Sequence, residues 1–133
     1  MKRLVPAVGL TLAIMYLVPL PVYGVLSALT GLQPPTGGSP AQFLLGVLVV
    51  KLGVAVAFVL LYYLARDRWV GRWRTYAFIW WSMFAVSEVG QAITPEYPWL
   101  AALGGIVAEA IYCPLAALVV ARLLQPRSGY EGH

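Results

Sequence analysis

The chain has 133 residues, 61% of them hydrophobic and 11% charged, with a formal net charge of +4 and a mean hydropathy of +0.80. About a quarter of the residues in a soluble domain are charged, so this composition excludes an ordinary water-soluble fold and predicts an integral membrane protein. The single cysteine, Cys113, excludes a disulfide framework and a cysteine-based metal site. With one histidine, His133, the chain also lacks the groups for bis-histidine haem, a hydrolytic zinc or a Ser-His-Asp triad. No cofactor and no metal is expected.

Four apolar stretches are predicted as helices, at about 4–29, 41–65, 76–93 and 98–124, followed by a short polar tail, 125–133. Each reaches or exceeds the ~18 residues a helix needs to cross ~30 Å of hydrocarbon. The expected fold is all-α: a single transmembrane domain spanning 1–133, with four helices in an antiparallel bundle.

The first stretch begins after Lys2 and Arg3 and contains Pro19 and Pro21. A cleaved signal peptide is the rival reading, but the apolar run outlasts a typical h-region of ~7–15 residues. The two prolines each remove a backbone donor, which predicts a break ~15 Å from the outer end, with Tyr16 and Tyr23 nearby. The connection 31–40 consists of turn formers without charge. The second stretch carries Lys51 at its middle, on a side shared with Leu44, Val47, Ala55, Phe58 and Tyr62.

Arg66, Arg68, Arg72 and Arg74 fill the next connection. Together with Lys2, Arg3, Arg122 and Arg127 they place eight of the nine basic residues on one side, so both termini and the middle loop are expected in the cytoplasm. That basic face suits anionic lipid headgroups and needs no nucleic acid. The expected location is a cytoplasmic membrane of the prokaryotic kind. Trp69, Trp73, Tyr97 and Trp99 read as interfacial anchors.

The third stretch places Glu88 and Gln91 one turn apart, on a side shared with Ala77, Trp81, Phe84 and Ala92. The tight turn 94–98 leads to the fourth stretch, where Glu109 shares a side with Ala102, Gly105, Tyr112, Cys113 and Ala116. Small residues let helix backbones approach closely in lipid, so this is the predicted packing face.

A charge in hydrocarbon costs ~2.5–3.5 kcal/mol even on the lenient insertion scale, so intramembrane charges mark candidate sites. Counted inward at ~1.5 Å per residue, Lys51 and Glu109 lie ~15 Å deep and Glu88 ~8 Å deep. One lysine against two glutamates leaves a surplus negative charge, which a low-dielectric site offsets with a cation or a retained proton. The candidate ligand- or ion-binding residues are therefore Lys51, Glu88, Gln91, Glu109, Tyr112, Tyr16 and Tyr23. Lys51 and Glu109 form the expected central pair, Glu88 and Gln91 an outer set, and the broken first helix supplies backbone carbonyls.

These residues point to proton- or cation-coupled transport of a small solute or ion. Four helices are few for a pathway, so a homo-oligomer is expected. The alternative is a non-catalytic structural or accessory subunit of a membrane complex, with Lys51 pinning two helices together. A third reading makes Glu88 and Glu109 the general acid and base of an intramembrane enzyme acting on a lipid-soluble substrate.

Overall fold

The computed structural model describes residues 1–33 and 37–125. The middle of the first connection (34–36) and the predicted tail beyond Gln125 lie outside the described residues. The described chain is helical without strands: α1 Leu4–Leu17, α2 Pro19–Thr30, α3 Pro40–Leu64, α4 Trp73–Ala92 and α5 Trp99–Leu124, with one 3-10 turn at Arg66–Arg68.

The predicted break in the first helix is only a seam. Val18 keeps helical angles (φ −61°, ψ −40°) and its N–H donates to the Ile14 carbonyl. Pro19 occupies the first position of α2, where a missing N–H costs least. Leu4–Thr30 is thus one 27-residue apolar stretch, and no unwound backbone opens at Pro19–Pro21. The stretch stops at Gly31, whose φ of +71° suits glycine.

α3 starts on a capping box. The Ser39 hydroxyl accepts from the Gln42 N–H at 3.2 Å, while the Gln42 carboxamide oxygen accepts from the Ser39 N–H at 3.2 Å, and Pro40 sits at the first helical position. Three helical stretches are long and apolar enough to cross a membrane: Leu4–Thr30, Pro40–Leu64 and Trp99–Leu124. The predicted third stretch is present as α4, but Arg74, Ser82, Glu88 and Gln91 dilute its apolar character and it is not among the three.

α5 is the most buried helix, and small residues make it so. Ala102, Gly104, Gly105, Ala108, Ala116, Ala117 and Ala121 are all buried, and they let α4 on one side and α1 and α2 on the other approach closely. α3 and α4 meet instead through large rings. Phe58 of α3 packs against Tyr76 (4.9 Å between centroids) and Trp80 (5.2 Å) of α4, and the Tyr76 hydroxyl donates to the Phe58 carbonyl. This aromatic cluster closes the half of the bundle near the basic loop. The first half of α3 is largely uncovered, with Phe43, Leu45, Val49 and Val50 more than half exposed.

Candidate functional site

The site grows from two neighbouring glycines of α5. A Cβ on Gly104 would lie 2.8 Å from Leu26 Cδ2 and 2.9 Å from Tyr23 Cε1, so α2 rests directly on the α5 backbone there. A Cβ on Gly105 would lie 2.5 Å from Glu88 Cδ and 2.6 Å from Oε1. The absent side chains form two notches, one filled by the Tyr23 ring and the other by the Glu88 carboxyl. The Tyr23 hydroxyl then donates to the Ala101 carbonyl at 3.0 Å. On the α4 side, the Trp81 indole N–H donates to the Ile106 carbonyl at 3.2 Å.

One turn further along α5, the Glu109 side chain is buried at 5% exposure and its Oε2 has no hydrogen-bond partner among the described residues. The Glu88 carboxyl lies over Gly105, one turn before Glu109 on the same buried face of α5. Two carboxylates cannot bond each other, but one shared proton supplies an O–H donor between them. Glu88 also accepts from the Tyr97 hydroxyl at 2.8 Å. Tyr97 lies in the turn between α4 and α5, and burial, followed by that bond to Glu88, raises its pKa above the ordinary 10.0. It therefore remains a donor throughout the neutral range.

Lys51 reaches this level from α3. Its ammonium donates to the Tyr112 hydroxyl at 2.9 Å, with the Tyr112 ring centroid 4.7 Å away and that of Phe84 at 6.0 Å. Tyr112 follows Glu109 by three residues, on the same face of α5. The hydrogen-bond partner of Lys51 among the described residues is thus a phenol and two ring faces rather than a carboxylate. Such contacts hold a cation without neutralising an acid.

The predicted residues divide into two sets. Glu88, Glu109 and Tyr23 gather around the glycine notches, with Tyr112 one turn beyond Glu109 on α5 and Lys51 reaching it from α3. Gln91 is exposed, because its direction on α4 turns it away from α5. Tyr16 is half-buried on α1 and its hydroxyl donates to the Leu44 carbonyl of α3 at 3.4 Å, so it ties two helices together away from the acids. Tyr97, expected as an interfacial anchor, also bonds Glu88 through its hydroxyl. A phenol in a tight turn one helix end beyond Glu88 was the available signal, since such a turn folds back over the helix it terminates.

The chain matches no protein-family model, no curated protein and no solved structure. The fold and site define a class: a protein helical throughout its described residues, with three helices apolar enough to cross a membrane and two carboxyl groups one turn apart along the buried face of α5.

Proposed function

We propose that the chain is a polytopic membrane protein whose four helices run antiparallel, with both termini and the arginine-rich loop in the cytoplasm. Its function in this reading is proton- or cation-coupled transport of a small solute or ion. The observation that carries the proposal is the buried Glu109 carboxyl, whose Oε2 has no partner among the described residues, one turn along α5 from the Gly105 notch that holds the Glu88 carboxyl. Two facing acids resist double ionisation in a low-dielectric interior, and they relieve it by holding a proton or admitting a cation. Binding and release of that charge is the coupling step. Tyr97 orients Glu88 from the turn before α5, the Tyr23 ring packs beside it on Gly104, and Lys51, held by Tyr112, sets the local field. The exposed first half of α3 offers the contact surface for a homo-oligomer.

The accessory-subunit reading has its own support. Lys51 is already satisfied by Tyr112, and two clefts in the structure, of about 480 and 450 Å³, lie away from the acids. Proteoliposomes loaded with a pH-sensitive dye separate the two. Coupled transport requires proton flux under an imposed gradient, with or without added Na⁺ or K⁺, and its loss in both Glu109→Gln and Glu88→Gln. Absence of flux in the wild type, with all three proteins folded, favours the structural subunit.

A further inference from the structure

The start of α1 and the ends of α3 and α5 meet around a cleft of about 480 Å³. They are the termini of the three stretches long and apolar enough to cross a membrane, so the cleft lies where hydrocarbon gives way to headgroups. Its lining has two parts. Leu4, Leu123 and Leu124 supply apolar surface, while Lys2, Arg3 and Arg66 bring three cations from segments distant in sequence. No acidic residue lines it among the described residues.

Two of the cations are held by groups that leave their charge unneutralised. Arg3 donates from Nη1 to the Leu123 carbonyl at 3.4 Å, one of the last carbonyls of α5, which lack a helical donor. That contact ties the start of α1 to the end of α5 and uses a single N–H of the guanidinium fork. Arg66 is half-buried, with its guanidinium carbon 4.7 Å from the Tyr63 ring centroid. A ring face attracts the cation without taking up its in-plane donors. Asp67, next in the chain, is exposed and does not line the cleft. Like charges gathered at the edge of a low-dielectric layer repel one another, and an anion set among them relieves that repulsion.

The complement of this lining is an anion with several acceptor oxygens joined to an apolar body. A phosphodiester offers a pair of oxygens to a guanidinium fork, and acyl chains can follow Leu4 and Leu124 into hydrocarbon. A soluble phosphate has nothing to cover the leucines. We infer that this cleft is a specific site for one anionic phospholipid, whose phosphate sits between Arg3 and Arg66 with Lys2 at the rim. Basic pockets between membrane helices on the cytoplasmic side hold lipid phosphates in this way. The site rests on the membrane placement proposed above, narrows the affinity of the whole basic face to one cleft, and is independent of the acid pair.

The test uses the full chain in detergent, mixed with dioleoylphosphatidylglycerol and followed by native mass spectrometry, which counts bound lipids. One saturable adduct is expected, with dioleoylphosphatidylcholine binding much more weakly. Arg3→Gln and Arg66→Gln should each weaken the adduct about tenfold, the loss of roughly one charge-assisted hydrogen bond. Arg72→Gln removes the same charge from the loop that carries Arg66 but lies outside the cleft, and it should bind as the wild type does. Glu109→Gln should do the same, so failure of the acid-pair reading leaves this result unaffected. Detergent has no sides, so an inverted topology leaves it unaffected as well. Equal binding of the zwitterionic lipid, several equivalent adducts, an equal loss in Arg72→Gln, or unchanged affinity in either folded cleft variant overturns the proposal. So does displacement of the lipid by inorganic phosphate, which would make the anion alone the ligand. A clear gain in affinity in Glu131→Gln would also overturn it, by making the chain's own tail the occupant.

Discussion

The Glu88 carboxyl occupies the space that a side chain on Gly105 would take, with Cδ only 2.5 Å from the position of a Cβ there. The absence of one methyl group on α5 thus decides where an acid of α4 sits, one turn from Glu109.

Gly105→Ala is expected to displace Glu88 without changing any charge. Alanine favours a helix interior over glycine by about 1 kcal/mol, and the displaced group is the end of a flexible side chain, so the protein should remain folded. Thermal unfolding should shift by only a few degrees while proton flux falls to the level of Glu88→Gln. Wild-type flux in a folded Gly105→Ala protein would show that the Glu88 position is immaterial.

Removing the phenol that holds Lys51 is expected to cost more. In Tyr112→Phe the ring remains but the ammonium of the half-buried Lys51 loses its hydrogen-bond acceptor at 2.9 Å, a loss of about 1 kcal/mol. Tyr112→Phe combined with Lys51→Met removes both partners and should recover most of that stability. Chemical denaturation of these two variants and of Lys51→Met alone, in one detergent, measures the coupling, and additive effects would refute the interaction.

The Tyr97 bond predicts an alkaline limit. Its pKa is raised in the folded protein by burial and by Glu88, so folded chains retain a proton that unfolded chains release above about pH 10. The contribution is complete below that value and declines as pH rises toward the folded pKa. Tyr97→Phe should therefore lose less stability than wild type between about pH 10 and pH 11.5. Parallel unfolding curves for the two proteins would remove Tyr97 from the account.

A proton shared between Glu88 and Glu109 has a direct spectroscopic sign. Infrared spectra at neutral pH should contain a protonated carboxyl stretch that shifts in D₂O and disappears in both Glu88→Gln and Glu109→Gln, since each variant dissolves the pair. Survival of the band in either variant would assign the proton to the other acid alone. No band in the wild type would mean both acids are ionised or paired with a cation.

Reporter fusions test the membrane placement. Insertions after Gly37 and after Glu96 should report the outside, and insertions after Arg68 the cytoplasm, because the arginines are confined to one set of connections. An outside signal from Arg68 would invert the topology.

The helices and their packing face were legible in the sequence because both depend on properties along a single helix: apolar run length, a rise of ~1.5 Å per residue, and the 3.6-residue period. Those rules placed Ala102, Gly105, Glu109, Tyr112, Cys113 and Ala116 on one packing face, and all six are buried. They also placed Glu88 with Gln91, and there they fell short. Which sector of α4 is covered depends on how α4 is rotated against α5, which is set by the Glu88 carboxyl in the Gly105 notch and the Trp81 indole on the Ile106 carbonyl. The choice of Tyr112 for Lys51, and of Tyr97 for Glu88, likewise belongs to the tertiary structure. Matching depth brings groups to one level, but only the offset and rotation between packed helices decide which two side chains touch.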